Sequence, residues 1–279
     1  MKLKSIHRYP VKSMRGETPG AAQVERQGLA GDRRYMLVDE QGNFITAREV
    51  PALLAIRTMV TDDGLQLTLA GHGSVDVATP GEQAQRAMVS VWGDEVPARI
   101  ADVMVNDWLS RSIRQPVRLA YLSDPTARCV DRSYGGPDDV VSFADGFPLL
   151  LTTEASLDDL NGRIAERRMD VSDGLVMDRF RPNLVISGSA PWDEDCWRLV
   201  RIGAVRFRVV KPCSRCVLTT RDPVTGEKTA DNEPLRTLGS FHRGRDGGIM
   251  FGQNIIPIDR GEIRVGDMVE VLERGPSNV

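Results

Sequence analysis

Apolar positions in residues 1–100 fall into short stretches that alternate with polar positions and are separated by glycine-containing turns. Alternation of this kind is typical of half-buried β-strands, and a short glycine turn between two such stretches indicates a hairpin. The pattern predicts a strand at residues 3–8, hairpins that join 33–38 to 43–47 and 56–60 to 65–69, and strands at 75–77, 88–91 and 96–100. Many short strands with glycine turns favour a β-barrel.

The remainder of the chain mixes helical and strand patterns. Apolar side chains recur at helical spacing near residues 108–113 and over 154–164, which predicts two helices, the first ended by Pro116. Residues 124–139 are polar and rich in glycine and proline, so we interpret them as a loop or domain junction. Strands are predicted at residues 117–122, 147–151, 184–187, 199–202, 205–210 and 263–272, with turns at 203–204 and 266–267. The whole pattern predicts a β-rich α+β fold with a few helices.

Bulk composition narrows the class of protein. The chain has 279 residues, of which 41% are apolar and 27% charged, a profile typical of a globular protein with a sizeable core. Its net charge of -3 and pI of about 5.7 give no reason to expect nucleic acid or an anionic membrane as partner. No apolar stretch approaches the roughly 20 residues that cross a bilayer, and the N-terminus lacks the apolar core of a signal peptide. Four cysteines do not make a disulfide framework in so long a chain, so we expect a cytoplasmic protein with reduced thiols.

The segment Lys211-Pro-Cys-Ser-Arg-Cys216 carries the most distinctive chemistry. A thiolate is a soft ligand for a transition metal, and nearby cations such as Lys211 and Arg215 favour the thiolate form. A closed zinc site would need four ligands, and neither the other two cysteines nor the three scattered histidines complete one. A thioredoxin-like redox pair would need a βαβ setting, whereas this pair follows a predicted hairpin. Taken alone, the pair favours two buried, inert thiols slightly over a functional site.

Basic residues near glycines form a second group of candidates. Lys12 and Arg15 follow the first predicted strand, and Arg33 and Arg34 open the first hairpin. At one rim of a barrel they could bind a phosphate, since arginine offers a bidentate fork and lysine a point charge. The alternative is that all four are solvated surface charges, which their spacing alone favours.

Polar residues just before apolar strands form a third group. Arg181 and Asn183 precede the predicted strand at 184–187, and such positions often line a site because loops on a rigid scaffold carry function. Asn183 could equally form a turn by bonding its own backbone. Asp145, before the strand at 147–151, could accept hydrogen bonds from a heterocycle or cap a turn, and its spacing does not separate these alternatives.

Nine segments occur in a fixed order along the chain: Tyr9-Pro-Val-Lys-Ser-Met14, Gly31-Asp-Arg-Arg34, Phe44-Ile-Thr-Ala-Arg48, Phe143-Ala-Asp-Gly146, Glu154-Ala-Ser-Leu157, Phe180-Arg-Pro-Asn-Leu184, Lys211-Pro-Cys-Ser-Arg-Cys216, Phe251-Gly-Gln-Asn254 and Val265-Gly-Asp267. Together they resemble MOSC proteins that carry an N-terminal MOSC β-barrel domain. Among these, the chain is similar to bacterial reductases of N-hydroxylated base analogues and to mitochondrial amidoxime reducing components. The resemblance covers nearly the whole chain and implies an N-terminal MOSC β-barrel domain over residues 1–120 and a MOSC β-barrel domain over residues 121–279.

The resemblance implies a molybdenum cofactor, a pterin whose dithiolene sulfurs hold the metal. Cys216 matches the family's protein ligand to the metal, whereas Cys213 does not. The implied cofactor contacts are Lys12, Ser13 and Arg33 at the phosphate end, Asp145, Arg181 and Asn183 around the pterin, and Ser214, Arg215 and Asn254. Asn254 departs from the pattern, because the mitochondrial relatives carry tyrosine there.

The activity implied by the resemblance is a two-electron reduction of small N-hydroxylated compounds, such as hydroxylaminopurines and amidoximes. Cys216 and Asp145 are the catalytic candidates, and water or Asp145 would supply protons. The alternative is a MOSC protein that transfers sulfur or carries the cofactor without reducing a substrate. We find no glycine-rich dinucleotide unit and no iron–sulfur cysteine pattern, so we expect electrons from a separate flavoprotein or ferredoxin, or else from an iron–sulfur domain outside this sequence.

Overall fold

The computed structural model describes residues 1–168, 174–229 and 231–279. Its strands are β1 (Lys2–Ile6), β2 (Ala21–Glu25), β3 (Gly28–Leu29), β4 (Tyr35–Val38), β5 (Arg57–Thr61), β6 (Gly64–Leu69), β7 (Gly73–Ala78), β8 (Arg86–Val91), β9 (Asp94–Ile100), β10 (Arg118–Tyr121), β11 (Leu149–Thr153), β12 (Leu184–Ser187), β13 (Trp197–Ile202), β14 (Val205–Ser214), β15 (Met250–Pro257), β16 (Gly261–Arg264) and β17 (Val269–Arg274). Its α-helices are α1 (Val103–Ile113), α2 (Glu154–Arg168) and α3 (Leu235–Phe241). Within these described residues, no helix is both long and apolar enough to span a bilayer. The strand-rich arrangement confirms the predicted β-rich α+β class.

Strands β4 to β10 build the first lobe. β5, β6 and β7 form one antiparallel sheet, and β4, β10, β9 and β8 form a second. Alternate side chains such as Leu65, Leu67 and Val89 are buried, because successive residues of a strand point to opposite faces. At the start of α1, the Asp102 carboxylate accepts a hydrogen bond of 2.8 Å from the backbone N–H of Met104. The predicted hairpin of β5 and β6 and the helix before Pro116 are confirmed.

Seven strands form the largest sheet, in the order β1, β12, β11, β15, β14, β13 and β17. All five residues of the predicted strand β11 are buried. Its Leu151 belongs to the apolar cluster of Phe207 and Ile255, and helix α2 also packs against the strand. In this sheet Lys211 of β14 lies opposite Asn254 of β15. The register therefore brings the cysteine-containing end of β14 beside the polar segment of β15.

The two halves of the chain are interleaved. β1 pairs with β12 and β2 pairs with β16, so the first strands belong to the sheets of the second half. Between β1 and β2, the segment of residues 9–16, which includes Lys12 and Ser13, bridges to the first lobe at Val11–Tyr35 and Arg15–Arg57. A domain division at residue 120 stays a prediction. The bridging segment places Lys12 and Ser13 where the two lobes meet.

Three segments of the chain differ from what the local sequence pattern predicted. Residues 43–47 form two isolated bridges, Phe44 to Val38 and Asn43 to Ser90, rather than a full second strand. The predicted run at 263–272 is divided between two sheets, since β16 pairs with β2 and β17 with β13 across the turn at Gly266. Strand β15 was not predicted, because its burial is almost continuous and it holds Gly252 and Pro257, so no alternation marks it.

Candidate functional site

A cleft of about 920 Å³, its open mouth included, lies between the two lobes. All ten site residues implied by the family resemblance line this cleft: Lys12, Ser13, Arg33, Asp145, Arg181, Asn183, Ser214, Arg215, Cys216 and Asn254. These positions are scattered over most of the chain, so no local feature forces them together. Their convergence is a property of the fold.

Cys216 follows the end of β14 and precedes a short 3₁₀ turn, Val217–Thr220. Its Sγ accepts a hydrogen bond of 3.3 Å from Nε of Arg48. Cys213 has a different partner, since Nη1 of Arg215 lies 2.8 Å from its sulfur. All four cysteines are free. The structure therefore distinguishes the two cysteines of the motif by their neighbours.

The residues that the structure describes contain no cluster of three or more His, Cys, Asp and Glu side chains able to hold a metal. A closed zinc site needs four such ligands. A metal bound by Cys216 would therefore take its other ligands from a cofactor or from water.

Asp145 is the anionic centre of the cleft. Its carboxylate accepts hydrogen bonds from Nζ of Lys12 at 2.5 Å, from Nη2 of Arg48 at 3.2 Å and from Nε1 of Trp92 at 3.2 Å. Burial by itself would raise the pKa of Asp145, but Lys12, Arg48 and Trp92 outweigh it and hold that pKa well below its usual range. The carboxylate is ionised and faces the open cleft, with 64% of the side chain exposed. This geometry favours acceptance of hydrogen bonds over delivery of a proton, although the catalytic role predicted for Asp145 stays a prediction.

Lys12 is held by the loop that carries Asp145. Its Nζ also donates to the carbonyl of Phe143 over 2.8 Å, and its side chain is only 7% exposed. Burial lowers the pKa of Lys12, against the opposing effect of Asp145. An ammonium group has three N–H donors, and the described residues supply two acceptors to that of Lys12.

Arg128 fixes the same loop from behind. Its guanidinium donates to the carbonyls of Ser142, Ala144 and Asp145 and to the carboxylate of Asp94. Asp94 and Trp92 both belong to the tip of the β8–β9 hairpin. The hairpin of the first lobe thus clamps the Asp145 loop at two points.

Arg33, Arg181 and Asn183 form the opposite wall. Arg33 donates to the carboxylate of Asp32 at 2.6 Å, to Oδ1 of Asn183 at 2.9 Å and to the carbonyl of Arg181 at 3.2 Å. The guanidinium carbons of Arg33 and Arg181 lie 4.4 and 4.2 Å from the ring centroid of Tyr9, within range of cation–π attraction. Burial, and after it the charge of Arg33, lowers the pKa of Arg181 to about 10. The Asn183 side chain bonds to Arg33, to the Leu150 N–H and to the His7 carbonyl, and so positions Arg33.

Backbone strain is concentrated around the cleft. Seven non-glycine residues in the described part of the chain have positive φ, and four of them are Ser13, Arg33, Trp92 and Arg181. Such conformations cost on the order of 1–3 kcal/mol each and persist where the surroundings enforce them. Three of these four residues line the cleft, and Trp92 contacts its rim through Asp145. Holding these side chains in position therefore reduces the stability of the fold.

Of the remaining candidates, Ser214 and Asn254 line the cleft, whereas Arg15 and Arg34 do not. Ser214 is exposed at the end of β14, and Nδ2 of Asn254 lies 3.5 Å from the carbonyl of Pro212. Arg15 lines a different cleft, together with Arg57. Arg34 packs over the ring of Tyr121 and donates to the carbonyl of Leu122. Arg15 and Arg34 therefore do not share the cleft of Lys12 and Arg33.

Sequence reasoning assigned no role to Arg48, Trp92 or Arg128. Arg48 ends one of the ordered motifs, so a signal for it was present in the sequence. Trp92 precedes Gly93 at a hairpin tip, where an exposed aromatic side chain is a recognisable feature. Arg128 lies in the segment interpreted as a loop or domain junction, yet it is 5% exposed, and only the folded loop reveals its partners.

The residues present fit an anionic cofactor. Six cations line the cleft, namely Lys12, Arg33, Arg48, Arg179, Arg181 and Arg215, against the single carboxylate of Asp145. Among the residues that the structure describes, Nη2 of Arg181 and Nε of Arg215 are buried and have no hydrogen-bond partner. Buried donors of this kind cost free energy unless a partner is supplied, and phosphate or pterin oxygens are suitable acceptors.

Comparison with known proteins identifies the relatives of this chain. The family model of the MOSC N-terminal beta barrel domain matches residues 1–116, and that of the MOSC domain matches residues 138–270. The human mitochondrial amidoxime-reducing component 1 is 34% identical over 284 residues, covering 95% of this chain and 81% of that protein. The molybdenum cofactor sulfurase of Oryza sativa subsp. japonica is 34% identical over 268 residues, covering 90% of this chain. The chain spans only 32% of the length of that sulfurase.

Proposed function

Because this chain belongs to the MOSC family, with an N-terminal MOSC β-barrel domain followed by a MOSC domain, we propose that it is a molybdenum-cofactor-dependent reductase of N-hydroxylated compounds. The observation that carries the proposal is the cleft in which the Cys216 thiol lies among six cations. A soft sulfur ligand suits molybdenum, and the excess of positive charge suits a phosphorylated pterin. The similarity to amidoxime-reducing components supports the substrate class.

Roles for the residues follow from their contacts. Cys216 would ligate the metal. Lys12, Ser13 and Arg33 would hold the phosphate end of the cofactor. Asp145 would accept hydrogen bonds from the pterin, and Arg181 would donate hydrogen bonds to it. When bound, the cofactor supplies the oxygen-atom chemistry and accepts two electrons, while the protein supplies binding, orientation and electrostatics.

The overall reaction consumes two electrons and two protons for each N–O bond broken. The substrate loses its oxygen as water and leaves as the corresponding amine or amidine. Since Asp145 is held ionised by three donors, we assign the protons to water that enters through the open cleft. Asp145 would instead keep Lys12 and Arg48 in place.

The electrons would come from a separate flavoprotein or ferredoxin in the cytoplasm, with no nucleic acid or membrane as partner. This part of the proposal rests on the sequence, which contains neither a dinucleotide-binding unit nor an iron–sulfur cysteine pattern.

A second candidate function is sulfur transfer or cofactor carriage without substrate reduction. The sulfurase of Oryza sativa subsp. japonica matches this chain at 34% identity, as the human amidoxime-reducing component does, which favours this function equally by sequence. Cys213, which also lines the cleft, would be a candidate carrier of sulfur.

One experiment separates these functions. Protein from a host that makes the cofactor is analysed for molybdenum and for the fluorescent oxidised pterin, and is then given an amidoxime or an N-hydroxylated purine with reduced viologen. Loaded protein that forms the amidine or amine supports the reductase. Loaded protein with no turnover of either substrate, but with release of cofactor to another apoenzyme, supports the carrier. Turnover by protein without molybdenum would refute both.

A further inference from the structure

We propose that Arg48 is a positioning residue that holds the sulfur of Cys216 and raises the reduction potential of the metal bound there. The second part of this inference, the effect on the reduction potential of the metal, rests on the proposed function. Its first part, the contact with the sulfur, concerns the polypeptide alone.

Arg48 contacts two groups of the cleft with different nitrogens. Nε lies 3.3 Å from Sγ of Cys216, and Nη2 lies 3.2 Å from Oδ2 of Asp145. The guanidinium carbon also lies 4.6 Å from the ring centroid of Trp92. One side chain thus links the cysteine of the second lobe to the β8–β9 hairpin of the first.

The position of Arg48 is constrained at its backbone. Ile45, Thr46 and Ala47, which precede it, are all buried, and the backbone N–H of Val50 donates to the carbonyl of Thr46 over 2.9 Å. Only 26% of the Arg48 side chain is exposed. An arginine that is merely a solvated surface charge would have neither this anchored turn nor two directional contacts.

The contact with sulfur has a predictable electrostatic effect. A hydrogen bond and a positive charge at a ligand sulfur stabilise the electron-rich, reduced state of a metal more than its oxidised state. Removing them should therefore lower the reduction potential. Lysine would keep the charge but cannot donate to both the sulfur and Asp145 from two fixed nitrogens.

The first measurement uses cofactor-free protein. In ¹⁵N NMR spectra, the Arg48 Nε–H should exchange slowly with water in the wild type and rapidly in Cys216→Ala. The matched control is Cys213→Ala, which removes the other cysteine of the motif and should leave this signal unchanged. Rapid exchange in the wild type, or equal exchange in the wild type and Cys216→Ala, would overturn the first part.

The second measurement is the molybdenum(VI/V) midpoint potential, followed by electron paramagnetic resonance. Arg48→Gln should shift the midpoint to lower potential and reduce kcat about 10- to 100-fold, as expected for loss of an outer-shell partner. Arg48→Lys should fall between Arg48→Gln and the wild type. Arg15→Gln, which removes a cation from the other cleft, is the control and should match the wild type.

The outcomes keep the two proposals apart. An unchanged midpoint in both loaded Arg48 variants would refute the role of Arg48, whatever the wild type reduces. A lowered midpoint in a protein that reduces neither test substrate would support Arg48 and refute the reductase. If Arg48→Gln does not bind the cofactor, the midpoint potential of Arg48→Lys tests the role of Arg48 instead.

Discussion

Arg33 donates a hydrogen bond of 2.9 Å to the side-chain oxygen of Asn183, which lies 150 positions away in the sequence. The same amide group also accepts from the backbone N–H of Leu150 and donates to the carbonyl of His7. Asn183 therefore joins strand β11 and the residue after β1 to a cation of the cleft. It acts on a bound ligand through Arg33.

This relationship predicts separate effects for the two residues. Arg33→Ala should weaken cofactor binding roughly tenfold to a hundredfold, since a hydrogen bond to a charged group is worth about 1.5–3 kcal/mol. Cofactor occupancy after dialysis against a series of cofactor concentrations measures this. Arg15→Ala, outside the cleft, should bind as the wild type does. Equal binding by Arg33→Ala and Arg15→Ala would mean that Arg33 does not contact the cofactor.

Asn183→Ala should mainly reduce stability. The change leaves the Leu150 N–H and the His7 carbonyl without their side-chain partner in a residue that is only 1% exposed. An unsatisfied buried group costs about 1–3 kcal/mol. Urea unfolding of cofactor-free protein should show a loss of this size, whereas Arg33→Ala should show a smaller one. If Asn183→Ala unfolds at the same urea concentration as the wild type, the stabilising role assigned to Asn183 is wrong.

The two cysteines should behave differently. Cys216→Ser should abolish reduction and remove one sulfur neighbour from the X-ray absorption spectrum of the metal. Cys213→Ser should retain that sulfur and lose less activity, because Cys213 contacts Arg215 and not Arg48. Both variants should remain folded by circular dichroism. Loss of the same metal–sulfur contact in both variants would show that the assignment of the ligand is wrong.

Glu194 offers a prediction about stability and pH. It is fully buried, and burial raises its pKa to about 7, above the value of 4.5 expected in the unfolded chain. An acid whose pKa is raised by folding destabilises the fold above its unfolded pKa, and the penalty grows until the folded pKa is passed. Glu194→Gln should therefore increase the free energy of unfolding at pH 8, by about 1–3 kcal/mol after allowing for its hydrogen bonds to Thr153 and Ser156.

The gain from Glu194→Gln should shrink as the pH falls from about 7 and disappear below 4.5, where the folded and unfolded states are both protonated. Urea unfolding at pH 5 and pH 8 tests this directly. Glu154→Gln, on the exposed start of α2, serves as a control without a pH-dependent difference of this size. A gain that is equal at both values of pH would exclude the raised pKa as its cause.

The sequence by itself determined much of the local structure. Alternation located most strands of the first lobe, helical spacing located α1 and α2, and an apolar run located β11. Ordered motifs determined the family and selected ten positions that all line the cleft. These features depend on short-range periodicity and on residue identity, both of which can be read without knowing which segments meet.

Only the tertiary structure decided which groups meet. Arg48 lies 168 positions from Cys216, and Lys12 lies 133 positions from Asp145, so neither contact leaves a local pattern. The spacing of Cys213 and Cys216 is equally consistent with either as ligand, whereas their neighbours in the fold differ. The physical reason is that periodicity gives the direction of a side chain relative to its own strand, while strand pairing and lobe packing determine what lies opposite.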